Sequence, residues 1–263
     1  MSRLEKLRTI QIDSQSDYSY KGNMSFFIDH ANITCEDKEN ANEIMSQKNM
    51  IVDYSDLPEQ ITCLKKGEGS KPIAYIVVGN IGSGKSSFIH AMCCSKLLSD
   101  EVILIMEDVY KKIFFNSEYD LKKAYSYAKF FVSKKIIDII RQGRDFLLEM
   151  VPSSLEKIKL IEAIRKAGYE ISIFYIDTES VDVNIERNNK RQKDGADYVS
   201  EGKVYSRDII TQKNFTKLLN VSDSLYYYLS DTEVFELCYI WLGGECAILK
   251  NSYRLETIIK GGE

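Results

Sequence analysis

Three glycines, a lysine and three serines are spaced through Gly79-Asn80-Ile81-Gly82-Ser83-Gly84-Lys85-Ser86-Ser87, a combination suited to gripping a phosphate. The stretch satisfies G-x-x-x-x-G-K-[ST], in which glycines let successive backbone N–H groups turn toward one anion. Lys85 would reach the β- and γ-phosphates of a nucleoside triphosphate as a point charge, and the Ser86 hydroxyl would join a Mg²⁺ shell. ATP and Mg²⁺ are therefore the expected cofactors. Acids close the later apolar runs: Glu107-Asp108 after Ile105-Met106, Glu149 after Leu147-Leu148, and Asp177 after Tyr175-Ile176. A hydroxyl acceptor needs one carboxylate to take its proton and another to grip neighbouring hydroxyls. Asp108 suits the first task and Glu149 the second, whereas Asp177 reads as a cap for the helix that follows. Arg187 and Arg191 are four apart, hence on one helical face that Gly195 ends. Two such arginines can close over a γ-phosphate, where an arginine finger is worth roughly 10³ to 10⁵ in rate. The competing reading is a solvated face, since residues 179 to 207 hold six basic and six acidic side chains.

The loop needs a strand before it and a helix after it, and the pattern supplies both. Ile73 to Val78 is a continuous apolar strand, and Lys85 to about Leu98 is the helix that presents its positive end to the anion. Strands over Glu101–Met106, Asp145–Met150 and Ile171–Ile176 alternate with helices. One long helix is marked by Leu121, Ala124, Tyr125, Ala128, Phe131, Val132, Ile136, Ile139 and Ile140 and runs to Gly143. Another spans Ser153–Gly168, opened by a Ser153-x-x-Glu156 capping box. That order predicts an α/β fold: a P-loop kinase-like parallel sheet with helices on both faces, a helical lid after the last parallel strand, and ligands outside the carboxyl ends of the strands. Tyr226-Tyr227-Tyr228 reads as part of the last helix. Glu233–Leu242 and Glu245–Lys250 flank Gly243-Gly244 as a C-terminal β-hairpin.

Three segments follow: residues 1–70, an extension of illegible role with one short helix near Glu36–Met45 capped by Thr34; 71–232, the kinase core with its lid; and 233–263, the hairpin and tail. Lys65 to Pro72 is the connector between the first two. The 263 residues, 44% of them hydrophobic, can bury a sizeable core. The net charge of −4 favours neither nucleic acid nor an anionic membrane as partner. No apolar run reaches the length of a membrane span or a secretory signal, which predicts a cytoplasmic protein. The six cysteines lack paired spacing and read as reduced, mostly buried thiols. His30 and His90 read as packing or surface residues.

From about Ile73 to Leu219 the chain resembles the zeta toxin family of P-loop kinases, whose characterised members phosphorylate UDP-N-acetylglucosamine or related UDP-sugars. The glycine loop is similar to Gly79–Ser86, and the family's base, an aspartate just past the second strand, resembles Asp108. The family's lid segment is similar to Arg187, Arg191, Gly195, Ala196, Asp197, Val199, Ser200, Val204 and Arg207 without a gap. The resemblance implies lid charge at Arg187, Arg191 and Arg207, acceptor binding at Glu149, and an antitoxin-like protein partner. It departs where the acceptor would sit: Ala196-Asp197 replaces a glycine-histidine pair, Ser200 a proline, and Val151 the second threonine of a strand end that here retains only Glu149. The expected activity is transfer of the ATP γ-phosphate to a hydroxyl of a small molecule, possibly a nucleotide-sugar. A nucleotide-binding switch that transfers nothing, and a polynucleotide or RNA kinase, are the alternatives.

Overall fold

The computed structural model describes residues 16–31, 33–46, 71–115, 121–232 and 234–260, together with Leu7, Ile10 and Ile61. Among these, seven strands form one sheet in the order β2-β3-β1-β4-β5-β6-β7. They are β1 (Ile73–Val78), β2 (Ile103–Ile105), β3 (Phe146–Met150), β4 (Glu170–Asp177), β5 (Ser224–Leu229), β6 (Glu236–Leu242) and β7 (Glu245–Ile248). The first five run parallel and the last two antiparallel. The central strand β1 sets Val78 opposite Met150 of β3 and Tyr175 of β4, so three strand ends align at one rim. Its side chains alternate: Ala74, Ile76 and Val78 enter one core and Val77 the other. This two-sided burial explains why the strands read as unbroken apolar runs.

The helices follow from their periods and caps. Helix α1 (Tyr20–His30) and helix α2 (Cys35–Ser46) precede the sheet, and α3 (Lys85–Cys94) follows β1. A four-residue turn, α4 (Glu107–Tyr110), leads into a π-turn at Lys111–Phe115, then α5 (Leu121–Gln142) and α6 (Leu155–Lys166). After β4 come α7 (Val181–Lys193), α8 (Glu201–Lys213) and α9 (Phe215–Val221), and α10 (Tyr253–Lys260) ends the described chain. At α2 the expected cap forms as a reciprocal pair: Asp37 N–H donates to Thr34 Oγ1 at 3.1 Å and Thr34 N–H to Asp37 Oδ2 at 2.9 Å. Ile44 and Ala41 of α2 are buried against α5, joined by the Lys135–Asp37 ion pair.

Several expectations need correction. Tyr226-Tyr227-Tyr228 lies in β5, not in a helix; all six residues of that strand are buried, and stacked Tyr175–Tyr227 and Phe174–Tyr226 pairs join it to β4. Aromatic residues favour such a two-sided strand over a short helix. The helical segment after β4 is thus followed by a fifth parallel strand before the hairpin. The Ser153 capping box does not form: α6 starts at Leu155 behind Ser154, which makes no side-chain cap bond, while Ser153 N–H turns back to Val151 O at 2.8 Å. Helix α3 stops at Cys94, short of Leu98. The cysteines are less buried than expected: of the described ones only Cys238 is buried, Cys93 is intermediate, and Cys35, Cys94 and Cys246 face solvent at helix ends or on the edge strand. Helix α1 was not anticipated. The connector before Lys71 and the sixth cysteine, Cys63, lie outside the described residues.

The hairpin forms as read, with Leu242 opposite Glu245 across Gly243 (φ 56°) and Gly244 (φ 115°). Both dihedrals are positive, as a two-residue turn matched to strand twist requires.

Candidate active site

The glycine loop leaves β1 at the centre of the sheet, where the strand order reverses and ligands of such folds bind. Gly82 has φ +81°, and a Cβ there would stand 2.3 Å from the Asn184 carbonyl oxygen of α7. Gly84, at φ +91°, is the N-cap of α3. The loop is held from outside. Asn80 Nδ2 donates to Val204 O (3.1 Å) and Asp208 Oδ1 (3.2 Å) of α8, and Ser230 Oγ donates to Ser83 O (2.7 Å). Arg254 of α10 donates to both Asp208 and Asp177, and Tyr227 also donates its hydroxyl proton to Asp177. Asp177 therefore anchors the end of β4 in a buried ion network, a role sequence reading assigned only to capping.

Two cavities meet at the loop. The first, about 300 Å³, is lined by Gly82, Gly84, Lys85, Ser86, Ser87, Arg187 and Ser230, and is roofed by Tyr18, Ser19, Tyr20 and Asn23 around the start of α1. The second, about 710 Å³, lies under α5 and α8 and includes Ile81, Val151, Asp197 and Arg207. Lys85, Asp108, Glu149, Arg191 and Tyr20 line both and form their common wall. The predicted arginines are thus divided. Arg187 faces the first cavity, its guanidinium donating to Ser230 Oγ (3.0 Å) and Ser230 O (2.5 Å). Arg191 stands at the wall, 5.2 Å above the Tyr20 ring, and Arg207 faces the second cavity only.

Lys85 is buried, donates to Asn80 O at 2.9 Å, and has its nearest carboxylate, Glu149 Oε1, 3.9 Å away. Ser86 Oγ donates to that same Glu149 oxygen at 3.4 Å. A buried cation held by a carbonyl, with a carboxylate only at the edge of ion-pair range, beside glycines in left-handed conformations, fits a triphosphate. Glu149 and Ser86 side by side fit Mg²⁺, which takes one or two protein oxygens together with substrate phosphates. Burial pulls the Lys85 ammonium down to about 8, against the opposing pull of Glu149, and burial raises the Glu149 carboxyl. In the free protein Lys85 loses its charge as pH rises through about 8, while a bound phosphate favours the charged form. Nucleotide affinity should be level well below that pH and fall above it by up to about tenfold per pH unit, with uptake of a proton on binding. Calorimetry in buffers of different ionisation enthalpy measures that uptake; its absence near pH 9 would mean that Lys85 does not meet the nucleotide.

Asp108 sits in the first turn of α4, and its carboxylate makes no hydrogen bond or ion pair with any described residue. Asp197, which replaces a histidine of the resembled family, accepts from Lys111 Nζ and from Tyr125 Oη (2.7 Å), pinning the segment after α7 to the π-turn. In the second cavity Lys129, Lys157, Lys203 and Arg207 have no carboxylate within ion-pair distance among the described residues. Lys157 Nζ donates to Val151 O at 2.8 Å, and burial, with repulsion from Arg207, Lys129 and Lys85, pulls it down to about 8 despite Glu107 nearby. Sequence reading missed these lysines, which are scattered over three helices, and the roof over residues 18–23, which carries no motif.

A glycine loop between a central strand and a helix, facing a carboxylate wall under a helical segment, defines the α/β fold of P-loop kinases. The profile of the Zeta toxin family matches residues 59–218, and the chain belongs to that family. Solved structures share the fold. A chain of the AvrRxo1-ORF1:AvrRxo1-ORF2 complex with sulphate ions superposes with a TM-score of 0.56 at 14% identity, covering 96% of this chain and 80% of that one. The corresponding structure with ATP gives 0.54 at 13% identity, covering 97% and 80%. A chain of the PezAT chromosomal toxin-antitoxin system of Streptococcus pneumoniae gives 0.55 at 14% identity, covering 88% and 97%. No curated protein matches the sequence. Among the described residues no helix is long and apolar enough to cross a membrane.

Proposed function

We propose that this protein is a kinase that moves the γ-phosphate of ATP to a hydroxyl of a small, phosphate-bearing molecule, with a nucleotide-sugar as the leading candidate. The observation that carries the reading is the Asp108 carboxylate, engaged by no described residue, on the wall common to the two cavities with the buried Lys85. In this reading the donor lies in the first cavity with its phosphates on residues 79–87, and the acceptor in the second. ATP supplies the phosphoryl group, and Mg²⁺ held at Ser86 with Glu149 would neutralise charge on the donor phosphates. Asp108 takes the proton of the acceptor hydroxyl, Glu149 orients that acceptor, and Lys85 and Arg191 stabilise charge on the oxygens between donor and acceptor. Arg187 steadies the donor end, while Arg207 with Lys129, Lys157 and Lys203 offers the acceptor a cationic wall. Four basic side chains with no carboxylate at ion-pair distance among the described residues suit an anionic acceptor better than a neutral sugar. An antitoxin-like protein partner belongs to the same reading, supported by the likeness to a chain of a toxin-antitoxin system.

The test is incubation with labelled ATP and Mg²⁺ against UDP-sugars, nucleosides, unphosphorylated sugars and a metabolite extract, with mass detection of products. A phosphorylated product from a phosphate-bearing acceptor is expected; ATP binding with no product from any arm would leave a nucleotide-binding switch instead.

Val151 tunes this acceptor site. It lines the second cavity where the resembled family carries a hydroxyl, and a valine wall cannot hydrogen-bond one. UDP-N-acetylglucosamine should be a poor acceptor for the native chain, and Val151→Thr should raise its kcat/KM by about 2- to 10-fold, the worth of one hydrogen bond of ~1 kcal/mol. Efficient native transfer to that compound, unchanged or lowered by the threonine, would remove Val151 from acceptor choice.

A further inference from the structure

Tyr20 is a hydroxyl-bearing side chain that the chain itself brings to the common wall. It lines both cavities together with Lys85, Asp108, Glu149 and Arg191. Its phenol lies within electrostatic reach of Asp108, Asp197 and Arg191, and the Arg191 guanidinium stands over its ring. The first turn of α1 that carries it is firmly held. Asp17 Oδ1 accepts from Ser19 N–H at 2.8 Å, and Ser19 Oγ accepts from Gly22 N–H at 3.0 Å. Asn23 Nδ2 donates to Ser87 Oγ, at the end of the glycine loop, at 3.1 Å, and Asn23 Oδ1 meets His90 Nδ1 at 2.9 Å. Phe26 stacks on His90 from the same helix at 3.9 Å between ring centroids. A half-buried tyrosine that shares a cavity wall with a carboxylate engaged by no described residue has the two things an acceptor needs, a positioned hydroxyl and a base.

We propose that Tyr20 is phosphorylated by its own chain, its phenol taking the position of the acceptor hydroxyl when no small molecule fills the second cavity. The proposal rests on the kinase reading above. Asp108 accepts the phenolic proton and a bond forms from Tyr20 Oη to the γ-phosphorus. The bond from that phosphorus to the β–γ bridging oxygen breaks, ADP leaves with the electron pair, and Asp108 returns its proton to solvent. Burial raises the Tyr20 pKa, so the phenol stays protonated near neutral pH and needs that base. The product phosphate would face the Arg191 guanidinium, a charge-assisted pairing of the kind that holds phosphotyrosine elsewhere.

The experiment uses the full chain with Mg²⁺-ATP, intact-mass measurement and peptide mapping. One phosphoryl group is expected on the peptide carrying Tyr20, at a first-order rate independent of protein concentration. It should be absent in Tyr20→Phe, which keeps the ring under Arg191, and lost in Asp108→Asn while that variant still binds ATP. An efficient small-molecule acceptor should slow it by competition. Mapping of the native chain decides the matter even where a variant fails to fold. Tyr20 left unmodified, or phosphate on another residue, while the same preparation phosphorylates a small acceptor, overturns the self-modification and leaves the kinase reading standing. No transfer to any acceptor by an ATP-binding protein overturns both.

Discussion

Replacing Asp108 by asparagine should lower phosphoryl transfer by about 10² to 10⁴-fold, the range of general-base catalysis, while nucleotide binding stays within about twofold of the native protein. Asparagine keeps the size and polarity of aspartate, and no described hydrogen bond or ion pair depends on this carboxylate, so the fold has no reason to respond. The loss should fall on kcat, because an interaction made only as the proton leaves acts on the transition state alone. Binding is followed by calorimetry and transfer by product mass in the same preparation. Native transfer in the variant would return Asp108 to the first turn of α4 as a helix-dipole partner and nothing more. Together the two readouts separate an enzyme from a nucleotide-binding switch, for which a base at this wall has no use.

The largest stability effect is expected at Arg254. Its guanidinium reaches Asp177 Oδ2 at 3.0 Å and Asp208 Oδ1 at 2.5 Å, and all three side chains are largely buried. Burial raises the Asp177 carboxyl while Arg254 draws it down, so the charged pair persists only with the arginine present. Arg254→Ala should cost about 3–5 kcal/mol in denaturant unfolding, since it strands buried carboxylates without a cation. Adding Asp177→Asn and Asp208→Asn should recover part of that loss, because the stranded charges are then gone. A single-variant cost below about 1 kcal/mol would mean that the network is solvated and behaves as a surface pair.

What could be read from the chain divides along a physical line. The glycine loop, β1 and α5 were legible because local pattern dictates them: a phosphate grip needs its residues in succession, and a long amphipathic helix repeats its signal for six turns. Even there Leu121 proved exposed and Tyr127 buried, a shift of one face that packing decides. Lys85, Asp108, Glu149 and Arg191 were all singled out and all meet at one wall. The triple tyrosine was misassigned because aromatic runs suit helix rims and buried strands alike, and only the vacant position beside β4 chooses between them. Arg254 and Asp208 were invisible because an ion pair between distant segments leaves no spacing to read. Tyr20 and Asn23 were missed for a similar reason: Gly22 and a polar surround hide α1, and its cap partner Asp17 lies where a Cβ on Gly22 would intrude, 2.3 Å from its carboxyl carbon.

The phosphate loop is made early and finished late. Residues 79–87 leave the ribosome well before Asp208, Ser230 and Arg254, yet Asn80 is braced by a partner 128 positions downstream and Ser83 by one 147 positions downstream. Contacts of such sequence separation form slowly and only after the intervening chain has closed. During synthesis the loop therefore exists for a time as unbraced backbone, with the anchor of β4 still to come. The bracing of the loop matures with α10 rather than with the motif that announces it, so the nascent chain carries its signature long before that loop is rigid.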